Sequence, residues 1–309
     1  MRVLITGGAG FIGANLARVI LQDESNEVVV IDNLSTGSLW NIHDLDVEFI
    51  EGSILDTDTL NHAASGCDGI VHLAARPSVS RSIEDPVASH LANATGTVNV
   101  LEAARLAGNA HTVLASSSSV YGANPTLPKH EGLATRPVSP YAASKLATEA
   151  YALAYQHSFD LPVLAFRFFN VFGPLQAPGH AYAAVIPAFV HAALRGGAIP
   201  VHGDGTQSRD FTYVDTVAEV ITSALARGVT SVDPVNLAYG SRTNLLSIIT
   251  LLEELLGQTL ERDHTPIRPG DVPHSQADCT AVQTLFPDVM PTQLEIGIKS
   301  TVEWMRSTL

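Results

Sequence analysis

Residues 3–13 read Val3-Leu4-Ile5-Thr6-Gly7-Gly8-Ala9-Gly10-Phe11-Ile12-Gly13. A short apolar run enters a turn with glycines at every third position, Gly7, Gly10 and Gly13, and a helical stretch, Phe11–Gln22, follows. A strand that turns through G-x-x-G-x-x-G into a helix is a dinucleotide-binding fingerprint. Gly7 suits the tight turn, and Gly10 lets backbone approach a pyrophosphate. Gly13 permits close packing of helix on strand, with the helix N-terminus facing the phosphates. The next strand ends at Asp32, 19 residues after Gly13. A carboxylate at that distance accepts hydrogen bonds from an adenosine ribose and repels a 2′-phosphate, which selects NAD over NADP. With Asn33 and Gly37 it also opens a turn, and the two roles are compatible.

Outward from this stretch, short apolar runs at Val3–Thr6, Glu27–Asp32, Val47–Glu51, Gly69–Ala74, His111–Ser116 and Pro162–Phe168 alternate with helical ones. The helices are expected at Phe11–Gln22, Thr57–Ala64, Pro86–Ala107 and Pro140–His157, the last capped by Ser139 with Pro140 at its first position. This rhythm predicts an α/β fold, a doubly wound parallel sheet of the Rossmann type covered on both faces. After Asn170 the rhythm loosens into a smaller mixed α/β C-terminal part. Helices are expected there around Pro187 and at Asp215–Arg227, Leu245–Leu256 and Gln293–Arg306. The expected division is residues 1–168 with about 212–241 for the cofactor, and 169–211 with 242–309 for a substrate.

The 309 residues are 46% hydrophobic and 16% charged, enough apolar surface to build a core. A formal charge of −14 removes any long-range attraction for nucleic acid or anionic lipid. Neither a nucleic-acid nor a membrane partner is expected. The two cysteines, Cys67 and Cys279, fit a reducing cytosol, so a cytoplasmic protein is expected.

Tyr141 and Lys145 are four apart on one helix and therefore share a face. Bringing a tyrosine from pKa ~10 to near 7 takes about 4 kcal/mol. A partly buried lysine supplies up to ~4 kcal/mol at 4 Å, and the positive charge of an oxidised nicotinamide adds to it. The pair can therefore act as a base. Upstream, Ser116-Ser117-Ser118-Ser119-Val120-Tyr121-Gly122 ends the fifth expected strand, where ligands of such sheets bind.

Together, TGGAGFIG, Asp32–Gly37, His72-Leu73-Ala74-Ala75, Ser117 and the box Tyr141-Ala142-Ala143-Ser144-Lys145 resemble the extended short-chain dehydrogenase/reductases, and within them the UDP-hexose 4-epimerases. The blocks Arg167–Pro174, Ala181–Pro187, Gly203–Asp215 and Arg268–Asp278 extend the resemblance over nearly the whole chain, most like the UDP-N-acetylglucosamine 4-epimerase branch. The resemblance implies Ser117, Tyr141 and Lys145 as catalytic residues. It implies NAD, tightly held, on Gly7, Gly10, Phe11, Ile12, Asp32, Asn33, Ser35, Gly37, Ser53, Ile54, Leu73, Ala74, Ala75, Asn93, Tyr141 and Lys145. It implies the UDP-sugar on Ser117, Asn170, Val185, Arg209, Arg268, Asp271 and Ser275, with no metal.

Family members carry Asp where this chain has Ser53, which can still accept from the adenine amino group. Related dehydratases and decarboxylases carry an acidic residue just after the catalytic hydroxyl; here Ser118 and Ser119 stand instead. The implied reaction is therefore epimerisation through a transient 4-keto sugar, on UDP-GlcNAc/UDP-GalNAc and UDP-Glc/UDP-Gal. The alternative is a UDP-glucuronate 4-epimerase or another NAD-dependent nucleotide-sugar epimerase or dehydratase. Ser275, small where a tyrosine would exclude an N-acetyl group, is the expected gate. The helices Pro86–Ala107 and Pro140–His157 resemble those that pair in a homodimer.

Overall fold

The computed structural model describes residues 1–178, 184–266 and 274–309. The glycine turn joins strand β1 (Arg2–Thr6) to helix α1 (Phe11–Ile20). There follow β2 (Glu27–Asp32), β3 (Glu48–Glu51), α2 (Thr57–Ala64), β4 (Gly69–His72), α3 (Val79–Glu84), α4 (Pro86–His90), α5 (Gly96–Leu106), β5 (His111–Ser117), α6 (Pro140–Phe159) and β6 (Val163–Phe168). Seven parallel strands form one sheet in the order Val235–Leu237, β6, β5, β4, β1, β2, β3. The order reverses between β1 and β4, the switch point at which doubly wound sheets bind nucleotides.

Side chains alternate across the sheet. Val3 and Ile5 of β1 pack with α1 and the helix Val214–Arg227 on one face. Leu4 packs with Leu60, Val100, Leu101 and Ala152 on the other. Both faces are thus buried, which is why the strands are apolar at nearly every position.

The C-terminal part has its own cluster, in which Phe172, Phe189, Val201, Tyr213, Ile249 and Ile298 meet. Short strand pairs frame it, Ile199–His202 with Arg262–Thr265 and Ser208–Arg209 with Thr243–Asn244. The helix Thr280–Leu285 lies elsewhere: Val282 and Phe286 reach the sheet's core, where Phe286 meets Phe166 at 6.0 Å.

Some local expectations change. β4 ends at His72: the Leu73 N–H makes the last ladder bond, to the Thr6 carbonyl, and the Ala74 N–H turns to the Thr6 hydroxyl. The helix expected over Pro86–Ala107 runs on from Pro86 to Leu106, with a π turn at Leu91–Thr95 inside it. Among the elements without an expectation are α3, Thr280–Leu285, Arg262–Thr265 and the edge strand Val235–Leu237.

Candidate active site

The carboxyl ends of the strands open into a cavity of about 860 Å³. Its cofactor end is built from the glycine turn. Gly7 adopts φ +73°, and a Cβ there would stand 2.8 Å from Ala74 backbone. A Cβ on Gly13 would stand 2.5 Å from the Gly7 carbonyl oxygen, so this glycine locks the turn against α1. Gly10 differs: inside the protein its Cβ would meet only the Gly7 oxygen, at 3.1 Å. The space before Gly10 is left to the cavity it lines. Gly10 is also the N-cap of α1 and offers no capping side chain, which leaves the first-turn N–H groups and the positive helix end for an anion. The turn therefore fits a dinucleotide diphosphate.

Asp32 is buried, and each oxygen already accepts a backbone N–H, from Ala9 at 3.1 Å and from Leu34 at 2.8 Å. Burial raises its pKa against these two hydrogen bonds. The remaining lone pairs suit a ribose diol. A Cβ on Gly37 would come within 2.9 Å of the Asp32 carboxylate, so Gly37 supports the turn rather than lining the cavity. Asn33, at the exposed rim, accepts the Ser35 N–H at 3.1 Å. Ser53 and Ile54 line the far end, and Leu73, Ala74 and Ala75 the wall after β4.

Ser117, Tyr141 and Lys145 converge on the same cavity. Ser117 ends β5, and its oxygen accepts the Ser119 N–H at 3.2 Å. Its proton is therefore directed elsewhere. Burial raises the Tyr141 pKa, and a hydrogen bond with Ser117 works against that rise. In the protein alone Tyr141 is thus a phenol, and ionising it requires added positive charge. Lys145 is buried and donates to the Ala115 carbonyl at 2.8 Å. Burial pulls its pKa down to about 8, and Glu149 pushes it back up. His72, bonded to Thr6 and Thr97, is driven to about 3 by burial and stays neutral.

Asn93 stands behind the wall. Its amide holds the Arg76 backbone at 2.7 and 3.3 Å and reaches the Ser144 hydroxyl at 2.9 Å. Of the residues expected on the substrate side, Asn170 lines the cavity with φ +24°, its side chain bonded to the Asp210 carbonyl at 3.0 Å. Val185 opens a helix, and Arg209 sits on a short strand. The Ser275 N–H donates to the Ser208 carbonyl at 3.0 Å, which sets Ser275 beside Arg209. None of these three is in that cavity's wall. Arg268 and Asp271 lie outside the described residues.

Several contributors carried no sequence signal. Arg76, Arg81 and Glu84 reach the wall from α3 and the loop before it. Buried Asp210 accepts from Ser241 and from the Ala277 N–H, tying three segments distant in sequence together.

The family model for the NAD dependent epimerase/dehydratase family matches residues 3–238. A UDP-glucose 4-epimerase of Mycolicibacterium smegmatis is 36% identical, covering 99% of each chain. The UDP-N-acetylglucosamine 4-epimerase from Methanobrevibacter ruminantium, solved with UDP-N-acetylmuramic acid, superposes with TM-score 0.94 at 32% identity, over 100% of this chain and 99% of that one. The UDP-glucuronic acid 4-epimerase from Bacillus cereus, solved with UDP-glucuronic acid and NAD, gives 0.92 at 30% identity over 100% of both.

Proposed function

The chain belongs to the NAD dependent epimerase/dehydratase family, and from that premise we propose that it is a 4-epimerase of UDP-hexoses. The observation that carries the reading is the meeting of Ser117, Tyr141 and Lys145 in one cavity with the glycine turn and Asp32. Gly7, Gly10, Phe11, Ile12, Asp32, Asn33, Ser35, Ser53, Ile54 and Leu73–Ala75 hold NAD, with Gly37 and Asn93 fixing the segments they rest on. When bound, NAD supplies the hydride acceptor and donor at the sugar C4 and, oxidised, a positive charge near the Tyr141 phenol. Tyr141 takes the proton of the 4-hydroxyl through its phenolate and returns it to the same oxygen once the 4-keto sugar has turned over to present the other face of C4. The Ser117 proton, free of the Ser119 contact, bonds the sugar oxygen. Lys145 holds the cofactor ribose and lends its charge to the phenolate. Ser118 and Ser119 follow Ser117 where a dehydratase would need an acid, which favours epimerisation.

The substrates we favour are UDP-GlcNAc/UDP-GalNAc and UDP-Glc/UDP-Gal, with Asn170, Val185, Arg209, Arg268, Asp271 and Ser275 on the sugar nucleotide. The likeness to the Methanobrevibacter enzyme supports the N-acetylated pair. UDP-glucuronate is the second reading, favoured by the likeness to the Bacillus cereus structure.

Residues 1–168 with about 212–241 form the NAD-binding unit of this reading, and 169–211 with 242–309 the substrate unit. Exposed Ile83, Val87, Leu91 and Tyr151, on α3, α4, the π turn and α6, supply the apolar face of a homodimer. No helix among the described residues is long and apolar enough to cross a membrane. With free Cys67 and Cys279, a cytoplasmic enzyme is the fitting assignment. The test is incubation of purified protein with each UDP-sugar without added NAD, followed by chromatography of the products. Interconversion of C4 epimers supports the reading, and unchanged sugars in every case refute it.

A further inference from the structure

Glu149 lies buried on α6, one turn after Lys145 and two after Tyr141. Its Oε1 accepts the Ser116 hydroxyl at 2.5 Å and Arg167 Nε at 2.9 Å, and its Oε2 accepts Arg167 Nη2 at 2.8 Å. Ser116 and Arg167 face each other in register on β5 and β6. One carboxylate thus joins a helix to two adjacent strands at their carboxyl ends. The strand it grips carries Ser117 and presents the Ala115 carbonyl to Lys145. Arg167 continues through Nη1 to the Tyr121 hydroxyl at 3.0 Å, which donates to Asn236 at 2.7 Å.

We propose that Glu149 is a positioning residue of this site: it fixes the strand end of Ser117 against the helix of Tyr141 and Lys145, and its negative charge balances the Lys145 cation. The inference rests on the role given to Lys145 above. A simpler view makes Glu149 and Arg167 only a buried ion pair, and such pairs often add little net stability over apolar replacements. The surroundings of Lys145 favour the larger role. His72 faces it from β4 and is neutral. Tyr141 shares its helix and is a phenol in the protein alone. Arg167 on β6 is a cation, with Tyr121 and the Glu131 carbonyl beside it. Glu149 is the anion that raises the Lys145 pKa against burial. Removing it leaves burial unopposed and exposes Lys145 to an uncompensated Arg167, and both effects drive the ammonium to lose its proton.

The test uses the holoenzyme and two variants. Glu149→Gln keeps the side chain's size and an acceptor for Ser116 but removes the charge. Glu149→Gln/Arg167→Met removes the pair without leaving a buried cation, and decides the matter if the single variant fails to fold. NAD retained after gel filtration is measured from pH 6 to 10. Retention should fall about one pH unit lower in Glu149→Gln than in the parent, the size of shift expected from losing one nearby opposite charge. The double variant should shift in the same direction by less. Where a UDP-hexose is turned over, the alkaline limb of kcat should move with the retention curve while the substrate KM holds. A folded double variant whose retention curve lies on the parent's overturns the proposal. Absence of turnover in the parent would instead overturn the epimerase reading, and the retention curves would still decide the role of Glu149.

Discussion

Gly10→Ala and Gly13→Ala separate what the glycine turn does for the fold from what it does for NAD. At Gly10 the backbone has φ −79° and ψ 174°, values any residue adopts. An added Cβ meets only the Gly7 oxygen at 3.1 Å, a contact relieved by a shift of a few tenths of an ångström. The strain offsets the ~0.4–1 kcal/mol that Ala gains over Gly through the unfolded chain, so stability without NAD should change by less than ~1 kcal/mol. The new methyl, however, stands where the diphosphate must approach the backbone. NAD affinity should fall at least tenfold, about 1.4 kcal/mol. At Gly13 the Cβ would lie 2.5 Å from the Gly7 oxygen and 2.6 Å from the Gly8 Cα, both backbone atoms. Here the fold itself should lose about 1–3 kcal/mol, as overpacking does. Urea unfolding of NAD-stripped protein measures the first quantity and fluorescence titration with NAD the second. A Gly10→Ala protein that binds NAD as the parent does would refute the assignment of that space to the cofactor.

Tyr141→Phe should abolish epimerisation and leave fold and bound NAD intact; turnover within tenfold of the parent, followed by product chromatography, would show another base. Asp32 should make NAD strongly preferred over NADP, and equal affinities of stripped protein for both would remove it from the ribose. Ser275→Tyr should lower kcat/KM for UDP-GalNAc far more than for UDP-Gal, and an equal loss on both would deny Ser275 the gate. His72 carries a pH signature. Its pKa is about 3 in the fold against an ordinary value of 6.5, so below pH 6.5 the unfolded chain binds a proton that the folded one refuses. Stability therefore falls as pH drops from about 6.5, by up to ~1.4 kcal/mol per pH unit. Urea unfolding at pH 5 and 6 should show a shallower slope in His72→Asn by about that amount, and parallel slopes would deny that His72 folds uncharged.

The sheet was legible because its causes are local. Apolar runs bounded by Gly, Asp and Asn mark strands that are buried whatever their order, and Ser139-Pro140 marks the start of α6, where the Ser139 hydroxyl accepts the Ala142 N–H. The cofactor end was legible for the same reason, since Gly7, Gly10 and Gly13 shape a turn of consecutive residues. Val235–Leu237 escaped notice because three residues carry no periodicity, and their strand exists only by pairing with β6. The π turn at Asn93 likewise depends on partners at Arg76 and Ser144, distant in sequence. The +4 spacing of Tyr141 and Lys145 announced a shared face, but the phenol's raised pKa and the lysine's lowered one come from burial against β5. In the sequence Glu149 is one carboxylate of a helix, with no motif to single it out. Only the folding of β6 beside β5 brings Arg167 and Ser116 to it, and with them the field in which Lys145 sits.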